Sequence, residues 1–149
     1  MKCLSCGHED TKVTDSRVVS DGMAIRRRRE CPKCGFRFST YEEVEILNLA
    51  VIKRDGSREP YSRDKMERGL KKALEKRPIT QDNLRMLILN IERDIQTEAT
   101  ADEVTSREIG EIIMRHLKKI DKVAYIRFAS VYKSFEDIDS FKQEIKKIT

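Results

Sequence analysis

Four cysteines near the start of the chain are the residues whose spacing most directly indicates chemistry. They form two pairs, Cys3-x2-Cys6 and Cys31-x2-Cys34, with 24 residues between the pairs. Two residues between thiolates allow a tight turn to present both sulfurs to one ion, and two such turns complete a tetrahedron with zinc–sulfur distances of about 2.3 Å. Because four thiolates leave no open coordination position, the spacing predicts one structural Zn²⁺ rather than a catalytic metal.

Other uses of these cysteines are less well supported by the sequence. The first residues contain no apolar stretch of the kind found in secretion signals, and a reducing cytosol disfavours two disulfides. A thioredoxin-like centre would need one CxxC beside a βαβ pattern, which the sequence lacks. An iron–sulfur site stays open as an alternative. Gly7 and Gly35 each follow a cysteine pair directly and suit the positive φ that such a turn often needs.

Basic residues are concentrated around the cysteine pairs. The chain has a net charge of +5, and residues 11–38 contain eight basic residues against three acidic ones, which accounts for the whole excess. On a strand, Arg26 and Arg28 would project to one side and Arg27 and Arg29 to the other. A rigidly held guanidinium can pair with two acceptors on a phosphate or a base edge, so we predict contact with nucleic acid, with a merely solvated surface as the competing interpretation. The predicted contact residues are Lys12, Arg17, Arg26, Arg27, Arg28, Arg29 and Arg37.

The elements that must position these residues form a small antiparallel β-ribbon. Residues 11–19 are rich in β-branched side chains, 20–22 read as a turn, and 23–30 can return as the second strand. Residues 36–42 alternate aromatic and polar side chains, as a half-buried third strand should. Since this segment has few large apolar residues, the metal is expected to supply much of its folding free energy.

A second region has the pattern of a hairpin followed by helices. Residues 49–61 predict a hairpin that turns at Asp55-Gly56. Helical periodicity follows over 63–77 and over 122–135. Two further helices are expected to begin at a cap at Thr80 and at a capping box from Thr105 to Glu108. The helix over 122–135 is expected to be the most buried. The predicted fold class is therefore α+β, with a zinc ribbon over residues 1–46, a mainly helical domain with a β-hairpin over 47–137, and a short amphipathic helix or tail over 138–149.

Composition and missing motifs argue against an enzyme and against a membrane protein. With 149 residues, 38% of them charged, the chain has no apolar run near the roughly 20 residues that cross a bilayer. There is no GxxxxGK[ST], no GxGxxG and no Ser-His-acid set, and the histidines are His8 and His116, the latter expected to be solvated. We expect a cytoplasmic protein without catalytic activity.

Several long strings resemble the NrdR family, the bacterial transcriptional repressors of ribonucleotide reductase genes. In the ribbon they are 10–13, 15–17, 25–31 and 37–42, and in the last long helix 121–132. Residues 51–56, followed by Glu59 and Lys65, resemble the ATP-cone, a regulatory nucleotide-binding module. The resemblance covers essentially the whole chain.

The resemblance implies a repressor that binds ATP or dATP as allosteric effectors, changes its assembly state among dimers and higher oligomers, and docks its ribbons on paired operator boxes in double-stranded DNA. It implies that Lys53, Arg54 and Lys65 carry phosphate charge. Glu59 then corresponds to the acidic residue near the sugar and base, and Val51 to the residue whose backbone faces the base. Tyr125 and Tyr132 are seven residues apart and hence on one helix face, so one of them could line the pocket, with core packing as an equal competitor.

Two other classes of function compete with this interpretation. One is a ribbon that binds RNA or another protein, with the arginines serving as general charge. The other is an allosteric subunit of a nucleotide enzyme, although 149 residues leave no room for a catalytic reductase domain.

Overall fold

The computed structural model describes residues 1–44 and 48–148. The chain divides into two compact units, Met1–Glu45 and Ile46–Thr149, which we call the ribbon unit and the helical unit. The predicted boundary between residues 46 and 47 lies outside the described residues. The predicted α+β class is confirmed, because a three-stranded antiparallel sheet precedes a mainly helical region. Within the described part of the chain, no helix combines the length and the apolar character needed to cross a bilayer.

The ribbon unit is one antiparallel sheet with its middle strand in the centre. Its strands are β1 (Lys12–Val19), β2 (Ala24–Glu30) and β3 (Arg37–Glu43). A 3-10 turn over Ser20–Gly22 joins the first two strands. The register of β1 against β2 shifts between Val13 and Asp15, where a bulge interrupts the ladder. Each strand begins within one residue of its predicted start.

Over its described residues, 48–148, the helical unit has a second sheet and five helices. Its elements are β4 (Ala50–Ile52), β5 (Arg58–Pro60), α1 (Arg63–Ala73), α2 (Gln81–Glu98), β6 (Glu103–Thr105), α3 (Ser106–Ile120), α4 (Lys122–Tyr132) and α5 (Ile138–Lys146). Strand β4 is central, antiparallel to β5 and parallel to β6. Sequence periodicity did not predict β6, since three residues are too short to show an alternating pattern.

Hydrogen-bonded caps begin the helices of this unit. The side chains of Ser62 and Thr80 accept from the third residues of α1 and α2, and Thr105 with Glu108 forms the predicted capping box at α3. Helix α1 ends at Ala73 rather than at residue 77, and beyond its end Lys76 has a φ of 59°, which a continuing helix does not allow.

The hydrophobic core lies between α1, α2, α3 and the inner side of α4. The prediction that α4 is the most buried helix is wrong. Its buried residues are Ala124, Tyr125 and Ala129, while Val131 is 80% exposed. Helices α2 and α3 fill the core instead, because their apolar residues recur on one face each.

Candidate functional site

The two cysteine pairs sit in turns with the same backbone hydrogen bonds. The N–H of Gly7 donates to the carbonyl of Cys3 at 3.0 Å, and the N–H of Gly35 donates to that of Cys31 at 2.9 Å. Both glycines have positive φ, 68° and 70°, so the conformational reason predicted for them is confirmed. The two knuckles therefore present their sulfurs in matching ways.

The four sulfurs form a compact group. All four Sγ atoms lie within 4.8 Å of one another, with 3.6 Å between Cys3 and Cys34 and 3.7 Å between Cys6 and Cys31. A ZnS₄ tetrahedron with bonds of about 2.3 Å has sulfur–sulfur edges of about 3.8 Å, so the spacing fits zinc. The thiols are free and stand well beyond the roughly 2.05 Å of a disulfide bond. The cysteines thus form a four-sulfur site that could hold Zn²⁺.

Hydrogen bonds and burial shift the pKa values of two of these thiols in opposite directions, down for Cys3 and up for Cys34. A bond from the backbone N–H of Cys6 outweighs burial and lowers the pKa of the Cys3 thiol to about 7. Thiolates are the form that binds zinc, and the ion displaces the remaining protons. Cys3 and Cys31 are buried, whereas Cys6 and Cys34 lie at the surface, so an ion here would be embedded on one side.

One face of the ribbon sheet collects five of the predicted DNA-contact residues. Cross-strand register pairs Arg26 with Arg17, Arg28 with Asp15, and Glu30 with both Lys12 and Arg37. Because directly opposed residues of neighbouring strands point to the same side, these side chains share a face, which we call the cationic face. It comprises Lys12, Arg17, Arg26, Arg28 and Arg37, with the carboxylates Asp15 and Glu30 among them.

The cations of this face differ in how they are held. Arg17 is paired with Asp15 at 3.0 Å, and Arg37 with Glu30 at 2.7 Å. Arg28 is exposed, and its guanidinium forms no ion pair or hydrogen bond with any residue in 1–44 or 48–148. An open groove of about 580 Å³ is lined by Arg17, Arg28 and Arg37. Arg28 is therefore a fully available cation beside two that are fixed by acids.

The opposite face holds Arg27 and Arg29 in contacts within the sheet. Arg27 is paired with Glu42 of β3. Arg29 donates from Nη1 to the carbonyl of Thr11 at 3.4 Å and from Nε to the hydroxyl of Thr40, also at 3.4 Å. Arg27 and Arg29 tie β2 to its neighbours on this face, whereas on the cationic face Arg26 donates to the hydroxyl of Ser39 at 3.3 Å and Arg28 is exposed.

In the helical unit, three of the predicted nucleotide-binding residues form one charge cluster. Glu59 of β5 accepts from Lys53 at 2.9 Å and from Lys65 at 2.8 Å. Hydrogen bonds from Lys65 and then Lys53 lower the pKa of Glu59, and Glu59 in turn raises that of Lys53. The cluster joins the hairpin to the first turn of α1. Val51 lies on the central strand between Glu59 and Val104.

Arg54 belongs to a different group, formed with Tyr132. Its Nη2 donates to the Tyr132 carbonyl at 3.1 Å, and its guanidinium carbon lies 5.8 Å from the centre of the Tyr132 ring. Both residues line a cavity of about 820 Å³, within the roughly 300–1,000 Å³ typical of small-molecule pockets. The other cationic residues of this lining are Arg107, Lys133 and Lys147.

Tyr125 lies in the core and is not among the residues that line this cavity. It is buried, and its hydroxyl donates to Glu144 of α5. Glu144 is 2% exposed and also accepts from Lys133 at 2.8 Å and Lys147 at 3.0 Å. Burial alone raises the pKa of Glu144, but the hydrogen bonds from Lys133, Tyr125 and Lys147 outweigh it and lower that pKa to about 2. This buried carboxylate was missed by sequence reasoning, since a Glu in an amphipathic helix gives no sign of burial.

His116 also differs from expectation. Its side chain is 15% exposed and its Nε2 lies 2.7 Å from Asp94 of α2, so it bridges two helices instead of being solvated. His8 is not part of the sulfur group.

The fold and the sulfur group define a zinc-ribbon regulator joined to an ATP-cone. Residues 1–42 match the family model described as the N-terminal domain of transcriptional repressor NrdR-like proteins, and residues 49–138 match the ATP cone domain.

Relatives match over nearly the whole chain. Transcriptional repressor NrdR of Lysinibacillus sphaericus is 53% identical over 148 residues, which is 99% of this chain and 94% of the relative. The protein of the same name from Fervidobacterium nodosum is 53% identical over 99% of this chain and 96% of its own length, and that of Bacillus subtilis is 51% identical over 98% and 95%. The chain belongs to the NrdR family of transcriptional repressors, a regulatory and non-enzymatic family, as its sequence indicated.

Proposed function

We propose that this repressor senses ATP and dATP with its helical unit and binds paired operator boxes upstream of ribonucleotide reductase genes with its zinc-braced ribbons. Membership of the NrdR family supports the repressor role, and the ATP-cone match supports a nucleotide effector. The observation that carries the DNA-binding half is the guanidinium of Arg28 on the cationic face, which has no ion pair or hydrogen bond to any described residue. The protein would act in the cytoplasm, on the nucleoid.

The cationic face is the proposed DNA contact surface. Its five basic residues can neutralise phosphates along a duplex. Arg28 keeps all its donors for DNA, and the guanidinium fork suits a phosphate or the O6 and N7 acceptors of guanine. The sheet register fixes the backbone of Arg28 between Asp15 and Ser39, while its exposed side chain still loses rotamer entropy on binding. Arg27 and Arg29 contribute mainly by holding the ribbon together, with their charge as a secondary, long-range term.

Arg28→Ala and Arg27→Ala provide a matched test of this division. Both remove one guanidinium from the same strand, so net charge changes equally. Arg28→Ala is expected to weaken operator binding about tenfold or more, and Arg27→Ala severalfold at most. The measurement is fluorescence anisotropy with operator and random duplexes at two salt concentrations. Equal losses for the two variants would contradict the assignment of faces.

The same titrations separate DNA reading from general charge. A sequence-specific repressor prefers operator duplex to random duplex at both salt concentrations, whereas phosphate-only binding falls steeply with salt and ignores sequence. An RNA-binding ribbon would instead prefer a single-stranded or A-form RNA competitor. Preference for RNA, or equal binding to both duplexes, would overturn the operator proposal.

The nucleotide half rests on Lys53, Lys65, Arg54 and the residues around them. In this arrangement the single carboxylate of Glu59 bonds to both lysines, so a triphosphate that binds them competes with it for a pair of ammonium groups whose charge it only half offsets. Val51 and Glu59 are proposed to contact the base and sugar, and Tyr132 to line the pocket with Arg54. Tyr125 is bonded to Glu144 in the core and does not line the cavity that contains Arg54, so Tyr132 is the better placed of the two tyrosines. Lys53→Ala is expected to weaken ATP binding, as measured by calorimetry, without changing the zinc content. An unaltered ATP affinity would show that the nucleotide binds elsewhere.

Paired operator boxes require paired ribbons, so self-association is part of the proposal. We expect the size of the assembly to differ between the protein with ATP, with dATP and with neither. Rising dATP would then silence the genes that make deoxynucleotides. Light scattering coupled to size exclusion measures this directly, and an identical mass in all three conditions would contradict nucleotide-controlled assembly.

A further inference from the structure

Gly110, in the middle of α3, is buried against the ring of Tyr132 from α4. A Cβ placed on Gly110 would meet three carbons of that ring, Cε2, Cζ and Cδ2, with Cδ2 the farthest at 2.6 Å. Real Cβ atoms do not approach other carbons so closely, so any side chain at this position must displace the ring. Gly110 is not among the glycines with positive φ, which means that space and not backbone conformation requires glycine here.

The ring that occupies this space is anchored on several sides. The Tyr132 hydroxyl donates to the backbone carbonyl of Arg107 at 2.8 Å, one turn before Gly110 on α3. The ring also stacks on Phe128 with 6.0 Å between centroids. Tyr132 is therefore held close to the α3 backbone, an approach that only a residue without a side chain permits.

Tyr132 in turn determines where Arg54 lies. The guanidinium of Arg54 stands over the Tyr132 ring and donates to the Tyr132 carbonyl, which fixes it at the wall of the 820 Å³ cavity. The β-hairpin that carries Arg54 thus reaches the C-terminal end of α4 through this residue. If the ring moved outward, Arg54 would lose the aromatic face against which it lies.

We propose that Gly110 is a positioning residue of the nucleotide site: its missing side chain seats Tyr132, and Tyr132 holds Arg54 in place for an anionic phosphate group. The inference rests on the proposed function, in which Arg54 binds the triphosphate. Gly110 itself touches no ligand and acts through two other residues.

Gly69 offers a matched control within the same unit. It also lies in a helix, α1, and also faces an aromatic ring of α4, that of Phe128. A Cβ on Gly69 would lie 3.6 Å from Phe128 Cε2, an ordinary van der Waals distance. Gly69→Ala and Gly110→Ala therefore make the same chemical change against the same helix, with room in one case and none in the other.

The test is a double-mutant cycle on the full, zinc-loaded chain, with ATP affinity measured by calorimetry at a temperature where circular dichroism shows all variants folded. Gly110→Ala and Arg54→Gln are each expected to weaken ATP binding about tenfold, the order of one charge-assisted hydrogen bond. Gly69→Ala is expected to stay within about twofold of wild type. The double variant Gly110→Ala/Arg54→Gln should bind no more than about twofold weaker than Arg54→Gln alone, because both changes remove the same contact.

The outcomes separate this inference from the proposed function beneath it. Unchanged ATP affinity in Arg54→Gln would overturn the proposed nucleotide site itself. A loss in Arg54→Gln together with normal binding by Gly110→Ala would overturn the role of Gly110 alone. Fully additive losses would show that Gly110 supports the fold in general and would also overturn it.

Tyr132→Phe keeps the test decisive if Gly110→Ala does not fold. This variant retains the ring but removes the hydroxyl that anchors it to the Arg107 carbonyl. A severalfold loss of ATP affinity is expected, the order of one neutral hydrogen bond, and it should vanish in the Arg54→Gln background. Wild-type affinity in Tyr132→Phe, or a loss that persists without Arg54, would contradict positioning through the ring.

Discussion

The ribbon unit and the helical unit are stabilised in different ways. In the helical unit a continuous apolar core contains Leu70, Ile91, Ile95 and Leu117, all fully buried. In the ribbon unit the buried residues include two of the four cysteines, while Val18 and Phe36 are exposed. The helical unit can fold by burying apolar surface, whereas folding of the ribbon unit depends on the sulfur site. We therefore expect the ribbon unit to unfold on loss of metal while the helical unit stays folded.

The largest expected effect comes from removing the metal. Cys31→Ser, or an excess of a zinc chelator, should unfold the ribbon unit, because structural zinc supplies on the order of 10 kcal/mol to such small folds. Operator binding should be abolished while ATP affinity stays largely intact. Zinc content, anisotropy with operator duplex and calorimetry with ATP check the three parts. Retained operator binding by Cys31→Ser would contradict the metal-braced ribbon.

A cavity in the other unit should produce the reverse pattern. Ile91 is 0% exposed at the centre of α2, so Ile91→Ala should cost about 2–5 kcal/mol of unfolding free energy in the helical unit. The zinc stoichiometry of the ribbon should not change. Urea titration followed by circular dichroism, alongside a zinc assay, measures both. Loss of zinc in this variant would mean that the two units do not fold independently.

Acid should weaken the helical unit through Glu144. Its pKa is lowered from 4.5 to about 2, so the charged form stabilises the fold above about pH 4.5, and this contribution is lost as the pH falls through 2. The shift corresponds to about 3 kcal/mol. Glu144→Gln should flatten the dependence of unfolding free energy on pH between about 4.5 and 2, compared with Asp139→Asn on the exposed side of α5 as control. An unchanged slope would show that Glu144 is not the responsible group.

The smallest predicted effect concerns the capping box of α3. Thr105→Ala removes the hydroxyl that accepts from the N–H of Glu108 at 3.1 Å, and should cost about 1 kcal/mol. Thermal unfolding of the helical unit should shift slightly, with DNA and zinc binding unaffected. A cost above about 3 kcal/mol would indicate that Thr105 has a further role in the adjoining β6 strand.

Predictability from sequence also differs between the units. The cysteine spacing, Gly7 and Gly35 determine the knuckles locally, so the sulfur site and the three ribbon strands were predicted within a residue or so. The alternation of strand residues predicted the separation of Arg26 and Arg28 from Arg27 and Arg29, and the register confirms it. Which of them are paired was not predictable, because the partners lie on other strands.

In the helical unit, the errors arise where contacts join residues distant in sequence. The parallel pairing of β6 with β4 and the Glu144 cluster depend on tertiary packing that no local pattern encodes. The same holds for His116 on Asp94, which periodicity placed in solvent. Helix α4 is apolar in composition, yet the packing of α3 and α5 leaves Val131 exposed.

In the proposed function, triphosphate binding in the helical unit controls DNA binding by the ribbon. The most direct measurement is the operator affinity of the full zinc-loaded chain with ATP, with dATP and with neither, repeated for Lys53→Ala. The wild-type affinities are expected to differ by roughly fivefold or more between these conditions, and Lys53→Ala is expected to remove the difference. Identical operator affinities in all three conditions, with zinc bound and ATP binding confirmed, would contradict it.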